Sequence, residues 1–150
     1  MSLATRLARA ARSVMDANDR MAIEDLFWGY AYGYDTRDWS LYRAIWAPDA
    51  ELVLPDGNTF AGVDAIEAHA RGRREGLAAK GIQTRHHQTG SRFEVAGPDH
   101  VRVRTMLLVA WQHEGAPAPV LMHTGEYHDD AVRLGDGWRL RRRRIVIDHD

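Results

Sequence analysis

The chain contains no cysteine. Disulfides, thiolate metal sites and a cysteine nucleophile are thereby excluded, although the compartment is not fixed by this absence alone. No apolar run approaches the roughly 20 residues that a membrane span needs. No secretory hydrophobic segment is visible either. A cytoplasmic protein without membrane contact is the expectation. A charge excess of one sign is missing as well: 20 Lys and Arg face 21 Asp and Glu, for a net charge of −1. Attraction of the whole chain to nucleic acid is therefore not expected. Gly-x-Ser-x-Gly, the P-loop and the Gly-rich dinucleotide fingerprint are all absent, which disfavours serine-elbow acyl transfer, nucleotide hydrolysis and nicotinamide chemistry. Eight histidines are present, but no HExxH. His86 and His87 are adjacent and His123 and His128 are five apart, so within strands each pair points to opposite faces. Neither a metal nor a cofactor is expected.

What is present fits one domain of 150 residues, 45% hydrophobic. The first 15 residues carry three arginines and no acid, with Leu3, Leu7, Ala10, Ala11 and Val14 at helical spacing. Residues 1–17 read as a helical N-terminal extension and residues 18–150 as the domain proper. Ile23, Leu26, Phe27, Tyr30, Ala31 and Tyr34 repeat at i, i+3, i+4, i+7, i+8 and i+11, predicting a helix over 19–34, with Asn18 or Asp19 as its cap. Asp38 caps a short second helix whose face carries Trp39, Tyr42, Ile45 and Trp46, and Pro48 stops it. A strand over 50–54, a turn at 55–58 and a brief return at 59–60 follow. Asp64 caps a third helix that ends at Gly81.

Beyond Gly81 the pattern is β: 84–95, 101–111, 121–134, then a Gly135-Asp136-Gly137 hairpin into 138–147. Val101, Val103, Thr105, Leu107, Val109 and Trp111 share one face of their strand. Met106, Leu108 and Ala110 make the other face apolar towards its end. Such a strand lines a second layer, a subunit interface or a cavity. Helices in one block and strands in another predict an α+β domain with helices packed on one face of an antiparallel sheet.

With the other chemistries excluded, carboxylate and imidazole proton transfer remains. Asp35 follows directly on the aromatic helix face. It is either a helix-end residue in water or a carboxylate carried into an apolar space.

The segment AIEDLFWGYAYGYDTRDWSLYRAIWAPDAEL, then Gly62-x-Asp64-Ala65-Ile66, Thr84-Arg85-His86-His87 and the closing GEYHDDAVRLGDGWRLRRRR, resembles the SnoaL-like family of the nuclear-transport-factor-like superfamily. The similarity is to the branch with scytalone dehydratase, hexachlorocyclohexane dehydrochlorinase and bile-acid dehydratase. The resemblance implies a curved, antiparallel (mixed) sheet wrapped as a cone around the N-terminal helices and enclosing an apolar pocket. It further implies a cofactor-independent dehydratase-like lyase acting on a small hydrophobic, ring-containing molecule, in a homodimer or homotrimer. A non-catalytic binding or assembly protein, and an isomerase or polyketide-type cyclase, are the other activities the fold implies. By the same resemblance Asp35 pairs with His86, fixing the ring's tautomer, while Tyr34 and Arg143 complete the catalytic set. Tyr30, Trp46, Leu54, Trp111, His123 and Tyr127 then contact substrate. Leu54 stands where scytalone dehydratase carries a water-positioning tyrosine, and Trp111 where it carries a second histidine. These departures point to a simpler Asp–His device. His69 reads as a helix-surface residue, and the basic run 139–144 as solvated or ion-paired.

Overall fold

The computed structural model describes residues 15–149; the basic extension over 1–14 lies outside the described residues. Helix α1 spans Ala17–Thr36, α2 Trp39–Ala44 and α3 Val63–Ala78. The strands are β1 Trp46–Val53, β2 Thr59–Ala61, β3 Ile82–Gly97, β4 His100–His113, β5 Val120–Leu134 and β6 Gly137–Ile147. One six-stranded sheet has the order β2-β1-β6-β5-β4-β3. Its β1–β6 pair is parallel and the other pairs are antiparallel. The α+β architecture is the expected one: N-terminal helices and a mixed, mostly antiparallel sheet. Register shifts at Thr89/Arg92, Val109/Ala110 and Asp130/Ala131 bend the strands that carry them.

The cap of α1 is Asp16, whose Oδ1 accepts the Asp19 amide at 2.8 Å, two to three residues before the caps read from the sequence. The sequence placed Trp46 in the second helix and made Pro48 its stop. In fact α2 ends at Ala44, and both residues belong to β1. Asp38 does cap α2, accepting the Leu41 amide at 3.0 Å. Asp64 does not cap α3. That place is held by Gly62 at φ 83° without a side-chain bond, which frees Asp64 to pair with Arg43 at 2.8 Å.

The helices lie on the inner face of the sheet. Ile23, Leu26, Phe27, Tyr30 and Tyr34 of α1 join Ile66 of α3 and Val101, Val103, Leu107 and Tyr127 of the sheet in one core. Gly33 allows the closest helix approach: a Cβ there would lie 2.8 Å from the Tyr42 backbone nitrogen. The residue that weakens the helix by propensity is the one over which α2 crosses.

On the outer face of β4, Met106 is 57% and Leu108 38% exposed in the single chain, so, of the three roles the sequence allows that face, cover by a second layer of the described residues is not the one found. The basic run of β6 is matched to acids: Arg139 to Asp136, Arg141 to Asp49, Arg142 to Glu51 and Arg143 to Asp129. No helix among the described residues is long and apolar enough to cross a membrane.

Candidate active site

Asp35 is the next step of the stripe that builds α1, twelve residues after Ile23 and eight after Phe27, so the helix aims it inwards. It is 4% exposed. Its Oδ1 meets His86 Nδ1 at 2.7 Å and accepts the Thr84 hydroxyl at 2.7 Å. Its Oδ2 accepts the His86 main-chain N–H at 2.8 Å. A carboxylate only accepts, so Nδ1 carries a proton, and in the neutral ring the lone pair is on Nε2. Sequence reasoning missed Thr84, although it sits two residues before His86 and therefore on the same strand face.

The end of α1 is tied down from behind. The Asp35 carbonyl, one of the last of its helix, accepts Gln83 Nε2 at 2.9 Å and Arg74 Nε and Nη2 at 3.4 Å each. Arg74, 2% exposed, also donates to the Ile82 carbonyl at 3.1 Å. Burial lowers its pKa below the ordinary arginine value, yet a guanidinium stays charged in proteins. A cation at a helix C-terminus is favourable. The three donors from Gln83 and Arg74 satisfy a carbonyl that the helix itself cannot bond.

His86 pairs across the sheet with Val109, whereas His87 pairs with Leu108 on the outer side. The His86 ring lines a cavity of about 640 Å³ between the helices and the sheet. Of the residues singled out from the sequence, Tyr30, Tyr34, Leu54, Trp111, His123 and Tyr127 also line it. Tyr34 lies edge-on to the His86 ring, with centroids 5.1 Å apart, and Tyr30 at 6.2 Å. Burial pushes the hydroxyls of Tyr30, Tyr34, Tyr42 and Tyr127 up from the ordinary phenol value. They remain neutral donors. Leu52, Leu107, Val109, Ile145 and Ile147 supply much of the apolar wall.

Two residues expected at the site are not on the cavity surface. Arg143 is fully buried, with Nε and Nη2 each 2.8 Å from Asp129 carboxylate oxygens. Its guanidinium carbon lies 3.9 Å from the centre of the Tyr127 ring and 4.3 Å from that of Tyr30. The tyrosines that line the cavity cover it. Asp129 holds Arg143 above the ordinary arginine value, while burial pushes Asp129 up. Trp46 is likewise buried, packed edge-on against Tyr30 and Tyr42 at 6.0 Å each. Both support the wall from behind.

His69 and Arg73 do line the cavity, which the sequence reading did not anticipate. Their spacing to Leu77, i, i+4 and i+8, is the available signal, masked because polar residues at that period read as a solvated face. His69 stacks on Phe60 with centroids 4.1 Å apart. Among the described residues no three His, Cys, Asp or Glu side chains converge as a metal site.

A mixed sheet closed by helices over an apolar cavity, with an Asp-held imidazole in its wall, defines a single-domain pocket protein. The SnoaL-like domain signature matches residues 15–144, and the chain belongs to that family. No curated protein matches the chain. Among solved structures it is similar to an NTF2-like protein with a cystatin-like fold from Novosphingobium aromaticivorans, with 24% identity, 99% of this chain and 92% of that one covered, and a TM-score of 0.78. It is also similar to a putative scytalone dehydratase from the same species, at 21% identity over 85% and 83% of the two chains with a TM-score of 0.71. A third is a hexachlorocyclohexane dehydrochlorinase, LinA type 2, at 21% identity over 87% and 85% with a TM-score of 0.70. At these identities the likeness establishes the fold.

Proposed function

We propose that the chain is a cofactor-independent proton-transfer enzyme, a lyase of the dehydratase or β-elimination type, acting on a small hydrophobic ring-containing molecule. The observation that carries this reading is the 2.7 Å contact between His86 Nδ1 and Asp35 at the wall of an apolar cavity. Asp35 fixes the tautomer, so Nε2 takes the substrate's carbon-bound proton. The electrons of that C–H bond become the second bond of a C=C, and the adjacent C–O bond breaks. The protonated ring returns its proton to the departing hydroxyl as water; a departing halide leaves as the anion and the proton passes to solvent. Tyr34, held neutral beside the ring, donates a hydrogen bond to the leaving group. The apolar wall excludes water and strengthens each of these contacts.

The test is a turnover screen of hydroxylated and halogenated ring compounds with the wild type and His86→Ala. Loss of the base is expected to lower turnover by roughly 10²–10⁴-fold, with ligand affinity retained within about tenfold. Equal turnover by the two proteins removes His86 from the mechanism.

We further propose self-association as a homodimer or homotrimer through the outer face of the sheet. Met106, Leu108 and Leu121 are exposed there, and Leu121 pairs with Ala110 on the same side. An apolar patch of this kind favours burial against a partner. Leu108→Glu is expected to shift the sedimentation coefficient of the wild-type oligomer to that of the monomer. A wild type that sediments as a monomer at micromolar concentration refutes the proposal.

A further inference from the structure

The rim of the cavity holds a charge that neither the fold nor the dyad employs. Arg73 lines the cavity from α3, one turn after His69 and one turn before Leu77. Its neighbours on the helix are committed: Arg71 pairs with Glu67, and Arg74 is bound to the Asp35 and Ile82 carbonyls. Arg73 makes no ion pair or side-chain hydrogen bond with any described residue. The carboxylate that shares the rim, Asp56, is engaged by its own turn, accepting the Asn58 amide at 2.9 Å and Asn58 Nδ2 at 2.7 Å. Arg73 is the sole arginine or lysine among the described lining residues, since Arg143 lies behind Tyr30 and Tyr127. His69 is held in place beside it by its stack on Phe60. Arg73 also exerts a downward pull on the pKa of both His69 and Tyr34. Its field thus reaches from the rim to the aromatic ring beside His86.

We infer that Arg73 and His69 form an anion subsite at the cavity mouth, and that the ligand is an amphipathic acid with an apolar ring body inside and a carboxylate at the rim. The planar guanidinium matches a carboxylate with two parallel N–H donors, and His69 adds a ring N–H. An anchored carboxylate fixes the ring body's rotation, and so determines which carbon faces His86 Nε2. Beside a low-dielectric wall such a contact is worth more than on open surface. The inference rests on the reading of this cavity as the substrate site, and adds the substrate's charge.

Calorimetric titration with 2-naphthoate and 2-naphthamide separates the charge from the ring, using the wild type, Arg73→Gln and His86→Ala. The wild type is expected to bind the carboxylate about tenfold more tightly than the amide, the scale of one charge-assisted contact open to solvent. In Arg73→Gln the two affinities are expected to converge within about twofold with the amide unchanged. His86→Ala is expected to keep the preference, so recognition is read independently of turnover. Equal wild-type affinities, an undiminished preference in Arg73→Gln, or no binding of 2-naphthoate overturns the inference.

Discussion

Two carboxylates are buried against basic partners in this molecule, and their surroundings differ. Asp129 and Arg143 are both fully buried and doubly hydrogen-bonded, with tyrosine rings over the guanidinium. Asp35 and His86 make an equally short contact, but the His86 side chain keeps 13% exposure and lines the cavity. The first pair is sealed from the cavity, with Arg143 Nη1 buried and without a partner among the described residues. The second spends only Nδ1 and presents Nε2. A closed pair supports a wall, whereas a half-open one leaves an atom for the proposed chemistry. Burial and a short distance therefore do not by themselves mark a site; the residual, ligand-accessible atom does.

The contrast can be broken at either end. Arg143→Met, which strands Asp129 without its partner, is expected to cost about 3–5 kcal/mol of folding stability, measured by urea denaturation. Adding Asp129→Leu is expected to restore most of that loss. A cost under about 1 kcal/mol for the single variant makes the two pairs energetically alike. His86→Ala, despite the large loss of turnover proposed for it, is expected to cost only about 1–2 kcal/mol in the same assay, because Thr84 continues to bond Asp35 and the main-chain donor persists. The smallest effect concerns His69. Burial, followed by the field of Arg73, lowers its pKa, and Asp56 opposes the change. The neutral ring is thus favoured in the folded protein. The stability it contributes is present above the ordinary value of 6.5 and is lost as pH falls through the lower folded-state value. Its NMR titration midpoint is expected below 6.5; a midpoint at or above that value removes the effect.

Much of the fold was legible because its signals are periodic. The α1 stripe ran from Ile23 to Tyr34 without a break, and alternation marked β4. Boundaries were harder where two local rules competed. Pro48 reads as a helix stop, yet it is accommodated in β1, whose pairing with β6 shifts register between Trp46 and Glu51. Asp64 has the chemistry of a cap, but its carboxylate is drawn to Arg43, 21 residues earlier. Asp35, His86 and Arg143 were singled out through a family resemblance, because 51 residues separate the first two and no local pattern links them. That resemblance could not tell which atoms reach the cavity. The partner of Arg143, Asp129, is on the neighbouring strand and emerges only from the β5–β6 register. Arg73 was hidden among other arginines of α3, distinguishable only once the partners of its neighbours were known.

The Asp35 carboxylate grips the ring of His86 with one oxygen and the backbone of the same residue with the other. Orienting the His86 ring and seating the helix end on the sheet are consequently a single event. A partly assembled chain, with that seam still apart, holds no oriented imidazole. Refitting the hollow for another molecule leaves its aliphatic lining open to exchange, while the seam has to be kept whole.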